Sequence, residues 1–233
     1  MLLFPSPSIN VRIELQEKSI VLRGSSTESP SAVLRGTVVV SVKEPVLVRT
    51  IHARFRGDMH VGWMKDTGSR SGLSKKRNII YRPWVFLPPT RRVHTLEPGE
   101  YRYPFEEIIP GDAPETVCTK YGAVEYRIKA VVERPGLRLN HVQDCEVCVE
   151  RHTNDNNSAW LEGSEVTENW EGRVKSTLTT AASAYCCGDT VPIQVNWEAE
   201  CNQAKVSDMV CSLVEYVQYQ PDSETTHKDQ RCM

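Results

Sequence analysis

Four of the eight cysteines lie in two close pairs, and thiols at such spacing are candidates for metal binding. Cys145 and Cys148 enclose two residues, and Cys186 and Cys187 are adjacent. Four thiolates can hold a structural zinc ion. Positions three apart on a strand, however, face opposite sides of the sheet, which is poor geometry for chelation. We therefore interpret these cysteines as free thiols, and the sequence predicts neither a metal site nor a cofactor.

Motifs for catalysis are missing from the sequence. It contains no phosphate-binding loop, no Gly-x-Ser-x-Gly elbow and no His-Glu-x-x-His motif. The six histidines are scattered, and a cysteine–histidine nucleophile pair requires a spatial adjacency that their spacing does not indicate. We predict a protein that is not an enzyme and has no catalytic residues. A metal- or thiol-dependent enzyme is the alternative that the cysteines leave open.

Five basic residues form the candidate site for an anionic partner: Lys75, Lys76, Arg77, Arg91 and Arg92. Basic side chains on the loops of a rigid scaffold bind anionic lipid headgroups, or phosphorylated and acidic peptide tails. A solvated loop is the competing interpretation of the same residues. The formal net charge of -2 gives no global attraction to nucleic acid, so we expect no nucleic-acid partner.

The elements that must position these residues are β-strands. Apolar and polar residues alternate with a period of two in several segments, which is typical of strands with one buried and one solvated face. Turn residues separate the segments, and no strand–helix–strand rhythm occurs. The segments with the clearest alternation are 11–16, 51–56, 101–106, 124–133 and 191–197. This pattern predicts an all-β sandwich of the immunoglobulin type.

Three further segments are interpreted from their composition. The glycines and basic residues of Gly57–Asn78 predict a mobile insertion around a short strand at His60–Lys65. The polar and acidic stretch Arg151–Trp170 predicts a linker between domains. Val206–Tyr219 has nearly helical spacing of its apolar residues, but its β-branched and aromatic content favours a strand.

A series of motifs in the first two thirds of the chain resembles a known family. Leu96–Phe105 reads LEPGEYRYPF, and Gly122–Ala130 reads GAVEYRIKA, with a proline-bounded loop between them. Upstream, Leu34–Val40 reads LRGTVVV and Ile51–Gly57 reads IHARFRG. Together, and in this order, the motifs resemble the N-terminal domain of the arrestins, especially the fungal alpha-arrestins. The resemblance implies an arrestin-like β-sandwich over residues 9–150.

A second stretch of resemblance follows the predicted linker at residues 151–170. Tyr185 and the sequence CGDTVPI at Cys187–Ile193 resemble the first strands of the arrestin C-terminal domain. A complete second sandwich would need on the order of 150 residues. We therefore expect residues 171–233 to contain an incomplete arrestin-like C-terminal domain.

The family resemblance also implies a function. Arrestin-like proteins are non-enzymatic adaptors or scaffolds in membrane-protein trafficking, endocytosis, ubiquitin-dependent sorting and signalling. The implied partners are membrane cargo or receptor tails and a WW-domain ubiquitin ligase, which binds proline-tyrosine motifs, with peripheral membrane contact. In this chain Pro88 and Pro89 are followed by Arg91 at the place of the motif's tyrosine. The alternatives are a structural component of a retromer-like sorting complex, which would share the sandwich, and a secreted adhesion sandwich.

The N-terminal residues bear on the compartment. Met1–Pro5 lacks a basic segment, and Pro5 and Pro7 interrupt the apolar run, so we expect no signal peptide. No apolar run approaches the ~20 residues of a membrane-spanning helix. We expect a cytoplasmic protein with reduced thiols that partners recruit to the plasma membrane or endosomes.

Overall fold

The computed structural model describes residues 8–64, 72–152, 162–185, 188–199, 208–223 and 225–232. The described residues form strands and turns without a helix, so the predicted all-β class is confirmed. Among the described residues, no helix has the length and the apolar character that crossing a membrane requires. Two compact units are present, Met1–Thr153 with Val217–Asp229, and Asn154–Tyr216 with Gln230–Met233.

The first unit is a β-sandwich of two main sheets. One contains three strands in the order β1-β3-β8, and the other has the order β2-β11-β10-β5-β6, with the short β9 beside β10. Strands β4 and β7 form a separate two-stranded ladder. The strand bounds are β1 Ile9–Leu15, β2 Ser19–Arg23, β3 Ala32–Val42, β4 Val46–Val48, β5 Thr50–Met64, β6 Gly72–Leu87, β7 His94–Leu96, β8 Gly99–Ile109, β9 Val117–Cys118, β10 Gly122–Glu133 and β11 His141–His152.

The core of the sandwich is built from the inward-facing residues that alternation predicts. On β10, Val124, Tyr126, Ile128, Ala130 and Val132 are all buried, and the residues between them face outward. Strand β5 pairs with β10 in unbroken antiparallel register over the whole length of β10. Aromatic rings close the side of the sandwich where β6 meets β8, with Trp84 on Phe105 at 4.8 Å between ring centroids and Phe86 on Tyr103 at 5.3 Å.

The prediction of an insertion loop at Gly57–Asn78 is wrong, whereas the short strand predicted at His60–Lys65 is confirmed as far as Met64. Strand β5 continues to Met64 and β6 begins at Gly72, so most of this segment belongs to a long β-hairpin. The reason is that Met59 and Val61 continue the inward alternation and remain paired with β10. The glycines and lysines suggested a loop, but Lys75 and Lys76 are paired with Val61 and His60 of β5. Residues 65–71 lie outside the described residues.

A β-bulge interrupts the β5–β6 hairpin at its middle. The register shifts between Gly57 and Asp58, where Gly57 pairs with Ile80 and Asp58 pairs with Asn78. The Asn78 side-chain amide donates to the Gly57 carbonyl oxygen at 3.1 Å, which holds the irregular backbone in place. A Cβ atom at Gly57 would lie 2.6 Å from the Tyr126 ring and 2.9 Å from the Ile80 side chain. Only glycine therefore fits at this point of the sheet.

Val217–Asp229, near the C-terminus, belong to the first unit. Tyr219 is buried there, and the His227 ring stacks on Trp63 with 4.9 Å between centroids. Lys75 and Asp222 form an ion pair. Tyr219 is the last residue of β15 Val214–Tyr219, and His227 is the first residue of β16 His227–Cys232. The two strands pair with each other. The preceding strands are β12 Ser164–Trp170, β13 Val174–Thr180 and β14 Ile193–Ala199.

The second unit contains an antiparallel sheet with the order β12-β13-β14. Strand β12 lies within the segment 151–170 that composition predicts as a linker, so part of that segment forms a strand. The preference for a strand at Val206–Tyr219 is confirmed for Val214–Tyr219, whereas residues 208–213 are outside any strand. The predicted domain boundaries stay a prediction. Some predictions concern residues that the structure does not describe, namely 1–7, 153–161, 186–187 and 206–207. They include the predictions on the N-terminus and on Cys186 and Cys187.

Candidate functional site

Four cations lie together on the outward face of the six-stranded sheet. On β5, Arg56 is directly opposite Arg127 of β10, and Arg54 is directly opposite Lys129. We call Arg54, Arg56, Arg127 and Lys129 the basic block. Each residue of the block alternates with a buried core residue of its own strand, so the packing of the sandwich core fixes the four cations on the solvent side.

Carboxylates border the basic block without neutralising all of it. Arg54 has no carboxylate partner within the described ranges. The other three cations and the neighbouring Lys76 of β6 form ion pairs with N···O distances that range from 2.7 to 3.8 Å. These pairs are Arg56–Asp58 at 2.7 Å, Lys76–Asp58 at 3.3 Å, Arg127–Glu146 at 3.1 Å and Lys129–Asp144 at 3.8 Å.

The electrostatics of the block favour an anionic ligand. Like charges directly opposite each other on neighbouring strands destabilise a sheet, so a carboxylate or phosphate between them relieves repulsion. Burial alone would raise the pKa of Asp58, but hydrogen bonds from Arg56, Asn78 and Lys76 hold it below its ordinary value. Asp58 therefore stays ionised and orients Arg56. The block lines a shallow depression of about 220 Å³ in which five cations face three carboxylates.

The five basic residues that the sequence analysis selected do not form one patch. Lys76 faces outward beside the basic block, whereas Lys75 and Arg77 are opposite the inward-facing Val61 and Met59. Arg91 and Arg92 are exposed in the connection after β6. Leu87, the last residue of β6, is eleven strand steps after Lys76, which is about 36 Å at 3.3 Å per step. The two basic clusters therefore lie at opposite ends of the strand.

The thiols of β11 show no arrangement for metal binding. Cys145 is half-buried and Cys148 is exposed, and three positions separate them on one strand. Burial raises the pKa of both thiols, and the neighbouring Glu146 and Glu150 raise it further. Neutral thiols are poor nucleophiles and poor ligands. In the part of the chain that the structure describes, no group of three or more His, Cys, Asp or Glu side chains could hold a metal ion.

The sequence analysis missed the basic block although it identified the strands that carry it. Outward-facing Arg54, Arg56, Arg127 and Lys129 were visible in the alternation of the two strands. Their meeting depends on the pairing of β5 with β10 and on its register, neither of which follows from alternation. The sequence did contain a signal for the basic block, because two basic residues recur on the polar face of each of the two strands.

Comparison with known families gives two matches along the chain. The family model described as "Arrestin (or S-antigen), N-terminal domain" matches residues 26–156. The model described as "Arrestin (or S-antigen), C-terminal domain" matches residues 170–233. The first match alone covers more than half of the chain.

Curated proteins from fungi are similar to most of the chain. An arrestin domain-containing protein of Schizosaccharomyces pombe is 25% identical over 89% of this chain and 36% of its own length. The HECT-type ubiquitin ligase-interacting protein creD of Emericella nidulans is 28% identical over 78% of this chain and 31% of its own length. The probable protein of the same description from Aspergillus terreus is 26% identical over 87% of this chain and 36% of its own length. The chain thus spans about a third of the relatives that it matches.

Proposed function

Because the chain belongs to the arrestin family, we propose that it acts as a non-enzymatic adaptor that joins membrane-protein cargo to a ubiquitin ligase. The observation that carries the proposal is the basic block. An acidic or phosphorylated segment of a cargo's cytosolic tail binds across the paired strands β5 and β10, where Arg54 is available and the cations repel one another. The rigid sandwich holds these side chains at a fixed spacing before the tail arrives.

The second half of the proposed adaptor function is ligase recruitment. Relatives of this chain are named as HECT-type ubiquitin ligase-interacting proteins, which supports a ligase as the downstream partner. Pro88 and Pro89 are exposed in the connection between β6 and β7, but the tyrosine of a proline-tyrosine motif is absent there. We propose that recruitment through this chain uses a surface of the sandwich and that the process served is endocytosis or protein sorting.

The proposed place of action is the cytoplasmic side of the plasma membrane or of endosomes, where cargo tails are found. The exposed Arg91 and Arg92 are the candidates for contact with anionic headgroups. Co-sedimentation with phosphatidylserine vesicles and with neutral vesicles tests this contact. Equal sedimentation of the chain and of an Arg91→Gln/Arg92→Gln variant would remove these two residues from the proposal.

Binding of an acidic peptide tests the basic block directly. The probe is a fluorescein-labelled glutamate-rich peptide, and its uncharged control has glutamine at every glutamate. We expect saturable binding of the acidic peptide that weakens as salt is raised. Arg54→Gln and Arg127→Gln should each weaken it by about two- to fivefold, as expected for exposed charge pairs.

The matched control for these variants is Arg35→Gln, which removes an exposed arginine from the other sheet. Equal effects of Arg35→Gln and Arg54→Gln would show that only net charge matters and would refute the block as a site.

Pull-down with the WW and HECT regions of a ubiquitin ligase tests the proposed recruitment of a ligase. A stable complex of fixed stoichiometry with sorting-coat subunits, and no cargo or ligase binding, would favour the retromer-like alternative.

A further inference from the structure

A cleft opens between the two sheets beside the last strand of the larger one. It has a volume of about 710 Å³, which lies within the range of ligand pockets. The buried Tyr126 forms its floor, and its hydroxyl donates to the Pro114 carbonyl oxygen at 2.7 Å. The walls are mainly apolar and come from β5, from β6, from the end of β8 and from the loop that follows it: Met59, Ile79, Ile80, Ile109, Pro110 and Ala113.

The β-bulge in the β5–β6 hairpin shapes this cleft. The extra residue in β6 allows both Ile79 and Ile80 to line the cleft, where strict alternation would place one of them on the opposite face. Gly57 permits Ile80 and Tyr126 to approach each other across β5. Asn78 holds the bulge with its hydrogen bond to the Gly57 carbonyl. Three separate features of the sequence thus build one apolar cavity.

The cleft adjoins a strand edge that can accept hydrogen bonds from another chain. In the described part of the chain, β6 pairs only with β5 and is the terminal strand of its sheet. Its outer N–H and C=O groups therefore have no neighbouring strand. Pro83 lacks an N–H group, which limits further strand pairing to the residues before it. The available edge is the part of β6 that borders the cleft.

The lining of the cleft contains one carboxylate, Asp112, and two cations, one of which is available. Arg82 is occupied by Glu107 at 2.9 Å. Arg77 lines the cleft and forms no ion pair with any carboxylate among the described residues. The pairing of β5 with β6 gives its spacing from the apolar part, because Ile80 is opposite Gly57 and Arg77 is opposite Met59. Counted along β5, two strand positions, about 6.6 Å, therefore separate the position of Ile80 on the apolar wall from the position of Arg77.

We propose that this cleft binds an extended peptide that adds to the free edge of β6 as a further strand. One bulky apolar side chain of the peptide enters the cleft, and a carboxylate two residues away along the peptide binds Arg77. The spacing follows from the strand repeat, since side chains two residues apart face the same way. This site lies on the inner side of the sheet, away from the basic block, and gives the chain a second peptide-binding surface beyond the proposed function.

The experiment uses the full chain and fluorescein-labelled threonine-rich heptapeptides with leucine and aspartate two residues apart, in both orders. We expect one order to bind saturably by fluorescence anisotropy. Replacing the leucine of the peptide with serine should weaken binding roughly tenfold or more, because the burial of an apolar side chain is lost. Replacing its aspartate with asparagine should weaken binding about threefold to fivefold.

Variants of the chain test whether Arg77 is the cation that binds the peptide's carboxylate. Arg77→Gln should weaken binding of the aspartate peptide about threefold to fivefold and leave the asparagine peptide unaffected. Lys76→Gln, one residue away on the outward face, is the matched control and should have no effect. Arg54→Gln disrupts the basic block and should also have no effect, so failure of the proposed function would not count against this cleft.

Backbone methylation tests the strand pairing. Of two peptides N-methylated at alternate sets of residues, one should lose binding and the other should retain it, because alternate amides of an added strand face β6. Equal binding of both would overturn the proposal, as would the absence of binding by either order of the parent peptide to a folded sample. Displacement of the peptide by lauric acid, with no effect of methylation, would assign the cleft to a small amphiphile instead.

Discussion

Arg56 of β5 lies directly opposite Arg127 of β10, so two guanidinium groups face each other on the solvent side of the larger sheet. Each is bound by a carboxylate, Arg56 by Asp58 two residues along β5 and Arg127 by Glu146 of the neighbouring β11. The pair of cations and its neighbours Arg54 and Lys129 are therefore held together at an electrostatic cost. Like charges directly opposite each other on neighbouring strands destabilise a sheet, and an anionic ligand would relieve this repulsion.

The destabilisation caused by repulsion within the basic block can be measured at Arg54, which has no carboxylate partner in the described ranges. Arg54→Gln removes its repulsion with Lys129 and breaks no ion pair. We expect the free energy of unfolding to rise by about 0.2–0.5 kcal/mol at low salt, with a smaller gain at high salt. Urea denaturation at two ionic strengths measures it. A loss of stability at low salt would show that the block is not under repulsion.

Gly57→Ala should destabilise the sandwich. The new methyl group would meet the Tyr126 ring at 2.6 Å and Ile80 at 2.9 Å. The buried Tyr126 ring cannot move without opening the core. We expect a loss of about 1–3 kcal/mol, the usual cost of overpacking. Thermal or urea unfolding gives the value, with the exposed Ser74→Ala on β6 as the control. An unchanged stability would mean that the close approach over Gly57 does not exist.

Tyr126 makes the stability depend on alkaline pH. Burial raises the pKa of Tyr126 to about 12, and the charge of Arg151 opposes the rise only in part. The unfolded chain loses this proton near pH 10 and the folded chain near 12, so between those values the unfolded state binds fewer protons. Stability from this group is complete below pH 10 and falls as pH rises toward 12.

Tyr126→Phe tests this dependence. It should cost about 0.5–1.5 kcal/mol at neutral pH because the hydrogen bond to Pro114 is lost. It should also make the decline above pH 10 shallower than in the parent chain. Urea denaturation at several values of pH measures both effects. An identical alkaline decline in the two proteins would exclude Tyr126 as its source.

A closed ring of four ion pairs lies on the exposed face of the smaller sheet. Arg12 and Arg102 each bind both Glu14 and Glu100, at distances from 2.5 to 3.4 Å. Hydrogen bonds from Arg102 and then Arg12 lower the pKa of Glu100. The stabilisation that ionised Glu100 gives the folded chain is therefore fully present above the ordinary carboxyl pKa. It is lost as the pH falls through the lowered pKa that Glu100 has in the folded chain. NMR titration should find the Glu100 pKa lowered, and Arg12→Gln should bring it nearer its ordinary value, whereas Lys18→Gln should leave it unchanged.

Alternation in the sequence predicted the buried faces of β5 and β10 correctly, because every second residue on those strands has a single possible environment in a sandwich. It could not predict which strands are neighbours. Arg54 and Lys129 are far apart in the chain, and only the register of their strands brings them together. Composition was a poorer guide than alternation at Lys75 and Lys76, where lysines suggested a loop but the backbone pairs with β5.

The cleft could not be predicted from the sequence for a different reason. Gly57, Asn78 and Tyr126 are ordinary residue types for a β protein, and the sequence motifs that contain Gly57 and Tyr126 gave only the family resemblance. Their joint effect depends on a shift of register by one residue, which is a property of the paired strands. A bulge of this kind has no sequence signature comparable to a turn or a helix cap.

The parallel pairing of β2 with β11 has a consequence for synthesis of the chain on the ribosome. Ser19 of β2 is paired with Cys148 of β11, roughly 130 residues later. At about 5–20 residues per second, translation needs on the order of ten seconds to supply that partner strand. During this time the nascent β2 lacks the only strand with which it pairs among the described residues, and its Ile20 and Leu22 are residues that the finished fold buries. The first unit can therefore complete its larger sheet only after β11 has left the exit tunnel, and chaperones that bind short apolar segments have that interval in which to act.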